Sequence, residues 1–358
     1  MRVLIAASIY PPDAGGPAVH ARAHFEQFPQ YGIETELVAL AHYRSYPSGI
    51  RHLLYFLSLL PKVRRCSLVY AYDAVGAGLP ALIAVCLFRR KLILRIGGDL
   101  AWERAGEKRN ISLRDWYEEG EYQKDLMYRL SKFVLKGADK IIVTTSLLKE
   151  LYENYYGISP DKIEVIINPI EIKGTRSSTR EKTIIFASRL TSYKNLDLSL
   201  RALAPIFREH GDLKLIFLGD GPEKTRLQSI AINEGIENQV EFRGHVSQEE
   251  VIRETSTCLF TLAPALTEFN PNYLLQGIGL GKPFIVSWEN GLPFEVPEFL
   301  RFNASSEDDL RERVTFLLTE KGYAQAENFV KKLDIKMSWE DNLRGNIRVI
   351  QELLNGSK

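Results

Sequence analysis

The sequence predicts an α/β chain of two Rossmann-like, doubly wound domains facing each other across a cleft. Three observations carry this expectation. Short strand-like runs alternate with helix-length segments from one end to the other, the pattern of parallel sheets joined by crossover helices. Several of the runs are continuous in Val, Ile, Leu and Phe, as expected of strands covered on both faces. The 358 residues also exceed one ordinary α/β core and suit two.

In the first half the expected strands are Val3–Ser8, Glu34–Leu40, Leu68–Tyr72, Leu92–Ile96, Ile141–Thr145 and Ile163–Ile167. In the second half they are Thr183–Ser188, Lys214–Leu218, Val240–Arg243, Cys258–Leu262 and Pro283–Ser287. Glu171–Lys182 is rich in Ser, Thr, Arg and Lys without apolar period, so it reads as an exposed linker. The longest apolar run, Val75–Phe88, contains Gly76, Gly78 and Pro80. It falls short of the ~20 residues that span a bilayer and reads as a buried core helix. The final stretch has helical spacing at Leu343, Ile347, Ile350 and Leu354 with no strand after it, and by spacing alone can close either domain.

Composition narrows the function classes. Apolar residues at 45% and charged residues at 25% are the balance of a globular protein. A net charge of +1 supplies no basic field for nucleic acid. Cys66, Cys86 and Cys258 share no CxxC spacing, which argues against a disulfide framework or a structural zinc. The start, Met1-Arg2-Val3-Leu4-Ile5, runs directly into a strand without a signal-peptide pattern, so a cytoplasmic location is expected.

Ligands of doubly wound sheets bind beyond the C-terminal strand ends, so candidate residues are those just after strands. The first strand leads to Gly15-Gly16-Pro17 and a helical pattern. The glycines permit close backbone approach, and Pro17 suits a first helical position. A helix start there offers amides to a diphosphate; an ordinary turn explains it as well. The loop is not GxGxxG, which weighs against a dehydrogenase.

After Thr183–Ser188 come Arg189 and Lys194, a planar fork and a point charge able to replace a metal on a leaving diphosphate. A solvated surface pair is the plain alternative. Gly219-Asp220-Gly221-Pro222 is another glycine turn, and Gly244-His245 could meet a nucleobase edge. The segment Pro264–Gly277, which includes Glu268-Phe269-Asn270-Pro271-Asn272, is the most informative. Asn270 reads as an N-cap and Pro271 as the first helical residue, with Glu268 just outside. Asn272 and Gln276, four apart, share one helix face. In the first half, Gly97-Gly98-Asp99 follows a strand, making Asp99 the leading carboxylate there, or a helix cap; Asp73 ranks second.

Taken in order, these segments resemble the family-4 retaining glycosyltransferases of the GT-B fold. The resemblance implies a nucleotide-diphosphate sugar as donor, a glycan or lipid-linked glycan as hydroxyl acceptor, and neither metal nor cofactor. Gly15-Gly16 resembles that family's glycine loop near the donor phosphates and acceptor. Ala138–Ser146 and Val165–Pro169 resemble its usual end of the first domain. Arg189 and Lys194 match its donor-phosphate pair, and Glu268 matches the first acid of its Glu–seven residues–Glu motif. The second acid of that motif is Gln276 here, which binds ribose hydroxyls but carries no charge. Where the family commonly has a histidine, Gly97–Glu103 resembles a subgroup with Gly-Asp-x-x-Trp-Glu. Trp339 and the last helix resemble the segment that crosses back to the first domain. The implied division is 1–170, an acceptor-side domain; 171–332, a donor-binding domain; and 333–358, the crossing helix.

Three rivals share parts of this pattern: a non-hydrolysing nucleotide-sugar epimerase, a catalytically silent nucleotide-sugar-binding subunit, and a Rossmann dehydrogenase. A softer question concerns Arg51–Arg65, which is aromatic, apolar and basic. It suits a weak peripheral contact with an anionic bilayer at the inner membrane face. A helix packed on its own sheet is the preferred reading, because most apolar helical segments are core.

Overall fold

The computed structural model describes residues 1–13, 15–170, 179–335 and 338–356. Most of the expected linker, 171–178, lies outside the described residues. The first sheet contains β1 (Arg2–Ala7), β2 (Glu34–Ala39), β3 (Leu68–Tyr72), β4 (Lys91–Ile96), β5 (Lys140–Val143) and β6 (Ile163–Val165). The second contains β7 (Thr183–Ala187), β8 (Lys214–Leu218), β9 (Val240–Gly244), β10 (Phe260–Ala263), β11 (Phe284–Ser287) and β12 (Arg301–Phe302). Every pairing within both sheets is parallel. All the expected strand segments form. The two-residue β12 is an addition too short to leave an apolar run.

Strand order locates the ligand ends. The first sheet runs β2-β1-β3-β4-β5-β6, so its order reverses between β1 and β3. The second runs β12-β11-β10-β7-β8-β9, the doubly wound order, reversing between β7 and β10. Ligands of such sheets sit where the order reverses, outside the strand ends. The loops after β7 and β10 carry Lys194 and Glu268 respectively.

The chain divides into two compact units. The first comprises Met1–Ala101, Gly120–Pro169 and Ser338–Lys358; the second comprises Trp102–Glu119 and Ile170–Met337. A linear division misses the assignment of Trp102–Glu119, which packs with the second unit although it lies in the first half of the sequence.

In the first unit, helix Gly16–Gln27 and the last helix, Trp339–Asn355, cover one face of the sheet. Leu343, Ile347 and Ile350 share a core with Val3, Ile5, Tyr70, Ile93 and Ile142. Burying the apolar stripe of the last helix is what holds it, since isolated helices of this length are marginal. Helices Ser48–Val63, Gly78–Phe88 and Leu126–Gly137 pack side by side in the same unit. Gly78 approaches Leu94 of β4 and Val134 of the third helix so closely that a Cβ would meet both. Gly78–Phe88 corrects the reading of Val75–Phe88 as a buried core helix. Ala81, Leu82, Ala84 and Val85 are buried, but Ile83, Cys86 and Leu87 face solvent. Its apolar residues run all round the helix while the sheet covers only one side.

Candidate functional site

The site in the second unit begins with backbone geometry. Leu190 donates its amide to the Asp220 carbonyl at 3.0 Å, and Glu223 donates to Leu190 O at 3.1 Å. The loops after β7 and β8 therefore run backbone against backbone. Gly219 has φ of +153°, and a Cβ there would stand 2.0 Å from Ser188 O; one at Gly221 would stand 2.2 Å from Leu190 O. No side chain fits at either position. This close approach accounts for both glycines without a ligand.

Beyond Leu190 a single 3₁₀ turn, Ser192–Lys194, ends in Asn195 at φ of +57°. Asn195 Nδ2 donates to Ala304 O at 2.7 Å, fixing where the turn points. Lys194 is thereby turned inward: its ammonium donates to Glu268 Oε2 at 2.5 Å, and both residues are only 6% exposed. Lys194 is therefore no solvated surface cation, whereas Arg189 is exposed. Burial pulls the Lys194 pKa down, but the Glu268 carboxylate, with help from Tyr193 and Glu103, more than offsets it. The net shift is upward, so the ammonium stays charged. Glu268 Oε1 accepts no hydrogen bond among the described residues.

Glu268 is held by its backbone. Its amide donates to Glu289 O at 2.9 Å, and Gly291 donates to Glu268 O at 2.8 Å. Leu266 donates to Tyr193 O at 2.9 Å, tying the loop after β10 to the loop that carries Lys194. Arg189 lies five residues before Lys194 but is exposed, with no side-chain partner among the described residues.

The helix beyond Glu268 begins later than expected. It spans Asn272–Gly279 with Pro271 at the N-cap and no capping side chain. Asn272 N donates to Asn270 O at 2.8 Å across Pro271, whose φ and ψ are −76° and 58°. That is an inverse γ-turn, and it corrects the reading of Asn270 as side-chain cap and Pro271 as first helical residue. Asn272 is exposed and Gln276 half-buried, one turn apart on this helix. Gly244 takes φ of +70° at the end of β9, and His245 beside it is exposed.

Sequence reasoning missed part of the shell. Trp102 is fully buried, edge-on to Tyr193 at 5.6 Å and to Phe269 at 5.4 Å. Ser192 Oγ donates to Glu107 O at 2.9 Å, and Leu113 N donates to Thr267 Oγ1 at 3.0 Å. Thr267 Oγ1 in turn donates to Glu289 Oε2 at 2.7 Å. Residues 102–119 thus brace the loops bearing Lys194 and Glu268. The Trp102-Glu103 pair was legible as a motif; its destination was not.

The first unit holds the remaining candidates. Gly15, at φ of +135°, is the N-cap of helix Gly16–Gln27, with Pro17 second in the helix. Asp99 is buried; its Oδ1 accepts from Ala101 N at 2.9 Å and from the Tyr156 hydroxyl at 3.0 Å. It caps the following helix. Asp73 accepts from Ser8 Oγ and, at 3.0 Å, from Ala77 N. Burial pushes its carboxyl pKa up against those hydrogen bonds. Among the described residues no cluster of three or more His, Cys, Asp or Glu is placed to hold a metal ion.

Comparison with known proteins agrees with this architecture. Residues 2–169 match the family model of the glycosyl transferase 4-like domain, and residues 168–333 that of the glycosyl transferases group 1. A phosphatidylinositol N-acetylglucosaminyltransferase subunit from Arabidopsis thaliana is 23% identical, over 95% of this chain and 79% of its own. The gpi3 subunit of the Schizosaccharomyces pombe phosphatidylinositol N-acetylglucosaminyltransferase is 24% identical over 60% of this chain, and the match spans 48% of that relative. The solved Anabaena Alr3699/HepE in complex with UDP-glucose superposes with a TM-score of 0.70 at 14% identity, covering 98% of this chain and 100% of the other; at that identity the likeness is one of fold. Paired parallel sheets and two adjoining family matches define a glycosyltransferase of the GT-B type. The chain belongs to the family-4-like glycosyltransferases of that fold.

Proposed function

We propose that the chain transfers a sugar from a nucleoside-diphosphate sugar to a hydroxyl of a glycan or lipid-linked glycan, with retention of anomeric configuration and without a metal. The observation that carries this reading is the buried Lys194–Glu268 pair where the second sheet reverses order. The donor complex of the Anabaena neighbour and the transferase names of the curated relatives support a nucleotide-sugar donor.

In this reading the pyrophosphate meets Lys194, the exposed Arg189 and the first-turn amides beyond Asn272 in helix Asn272–Gly279, which no side chain caps. Their positive charge stabilises the departing diphosphate. Glu268 Oε1, open to a donor hydrogen, takes a sugar hydroxyl while Oε2 stays on Lys194. Asn272, Gln276 and the Gly244-His245 turn serve the nucleoside. Gly15-Gly16 join the donor-binding set near the phosphates, Asp99 is the candidate catalytic carboxylate of the first unit, and Gly97–Glu103 is assigned to the Gly-Asp-x-x-Trp-Glu subgroup. The acceptor oxygen bonds to the anomeric carbon as the carbon–diphosphate bond breaks. The hydroxyl proton passes to the leaving phosphate oxygen, so no protein nucleophile is needed.

The test is acceptor-dependent release of nucleoside diphosphate. Lys194→Ala should lower kcat by roughly 10²–10³, by analogy with loss of one oxyanion donor. Unchanged turnover would refute the clamp. Donor conversion without any acceptor would point instead to an epimerase, and donor binding without turnover to a silent subunit.

A further inference from the structure

The three helices packed side by side in the first unit are apolar on two sides. Helix Ser48–Val63 buries Tyr55, Leu59 and Val63 completely, yet leaves Leu53 57% and Leu57 49% exposed, with Ile50 at 50%. Residues 50, 53 and 57 recur at helical spacing, so they form one outward row. Helix Gly78–Phe88 exposes Ile83 and Leu87, and helix Leu126–Gly137 exposes Leu126 and Phe133. Packing on the sheet explains the inner rows and leaves the outer ones unexplained. In the second unit only Ile232 and Trp288 are comparably exposed large apolar residues, among those described.

Charge distinguishes this face further. None of the three helices contains an Asp or a Glu, although the chain as a whole balances 46 basic against 45 acidic residues. The first helix is followed by Arg64-Arg65 and the second by Arg89-Arg90. Arg90 Nη2 donates to Arg64 O at 2.8 Å, which brings the two helix ends together. None of the four arginines has a carboxylate partner among the described residues. Outward apolar rows ending in unpaired arginines are complementary to an anionic lipid surface: the leucines enter the acyl boundary and the guanidinium groups meet phosphates. A second copy of the chain would bring the same arginines and no acid on these helices to meet them.

We propose that this face of the first unit docks on an anionic bilayer. The surface lies away from the loops bearing Lys194 and Glu268 in sequence and belongs to the other unit, and vesicle binding is read without donor or acceptor. A failure here and a failure of the transferase reading are therefore distinguishable.

The experiment is flotation of the full chain with phosphatidylcholine vesicles, with and without phosphatidylglycerol. The protein should float only with the anionic vesicles, and less at high salt. Each arginine near an anionic surface adds about fivefold in affinity. Arg64→Glu with Arg65→Glu should therefore weaken binding at least ~20-fold, and Leu53→Ser with Leu57→Ser and Leu87→Ser should abolish flotation. Unchanged melting temperatures would show that the variants fold. Absence of flotation with anionic vesicles at low salt would overturn the proposal, as would equal flotation of folded variants and parent. So would a dimer, formed without vesicles, that the leucine variant dissociates.

Discussion

Each unit buries a polar site, and the two are built on opposite terms. Beneath the last helix of the first unit, His24 sits between two neutral partners. Its Nε2 lies 3.2 Å from Asn342 Oδ1, and its Nδ1 lies 2.6 Å from the Tyr72 hydroxyl. Asn342 also donates to Ile167 O and receives from Asn346, which fixes its oxygen toward His24. The histidine proton is then on Nε2, and Tyr72 donates to Nδ1. Every polar atom of His24 and Asn342 is engaged, and the cluster fastens a helix. In the second unit the buried pair is ionic, one carboxylate oxygen stays open, and an unpaired arginine stands five residues away. A closed neutral cluster serves the fold; an open charged pair is the arrangement that the proposed donor site requires.

The largest expected effect comes from breaking the ionic site. Glu268→Leu leaves the Lys194 ammonium buried without its partner, and loss of one member of a buried pair costs about 3–5 kcal/mol. Replacing both, as Lys194→Met with Glu268→Leu, should recover most of that stability, because apolar residues of similar volume often substitute for a buried pair. Activity should not recover. Denaturant unfolding and turnover measured on the same three variants separate the two effects. If the double variant recovered activity with stability, the pair would be structural only.

The neutral site should respond to acid. Burial, the nearby Arg95 charge and His24 push the His20 pKa down to about 2. Burial and Arg95 push His24 down to about 3, against the hydrogen bond to Asn342. Unfolded histidine titrates near 6.5. Between these values the unfolded chain binds more protons, so stability falls as pH drops below about 6.5, by up to about 1.4 kcal/mol per pH unit for each histidine. Above that pH both states are neutral and the effect vanishes. His24→Gln should reduce the slope of stability against pH by about one proton relative to the parent. An unchanged slope would mean that His24 is already protonated in the folded chain.

The contrast between the sites also marks what was legible beforehand. Strand positions were, because covered strands are long apolar runs such as Leu68–Tyr72 and Lys214–Leu218. Arg189, Lys194 and Glu268 were legible as residues following strands. Their unequal burial was not, since it depends on a 3₁₀ turn and a left-handed Asn195 that leave no periodic signal. Glu289 lies in no motif, Thr267 lies in the Pro264–Gly277 segment with no signal of its own role, and the placement of Trp102–Glu119 on the second unit is a tertiary outcome. The N-cap reading of Asn270 failed because proline after asparagine suits an inverse γ-turn as well as a helix start.

A smaller effect tests Asp99. If its carboxylate only caps the helix and receives Tyr156, Asp99→Asn keeps an acceptor for Ala101 N and should cost about 1 kcal/mol or less. Turnover would be nearly unchanged. A drop in kcat with a preserved melting temperature would instead give the carboxylate a part in the chemistry.

The smallest effect on stability belongs to Arg189. It is exposed and makes no side-chain contact with a partner among the described residues, so Arg189→Ala should shift unfolding by no more than about 0.5 kcal/mol. Nothing in the fold requires a cation there. If it grips the donor pyrophosphate, its loss should weaken nucleoside-diphosphate binding by about 1.5–3 kcal/mol, the range for hydrogen bonds to charged groups. Arg189→Lys should restore only part, because a point charge lacks the fork that engages two oxygens at once. Thermal shift against a nucleoside diphosphate and the matching nucleoside reads the difference directly: the variant should lose the preference for the diphosphate and keep its affinity for the nucleoside. Equal affinity of parent and variant for the diphosphate would leave Lys194 as the lone cation of the site.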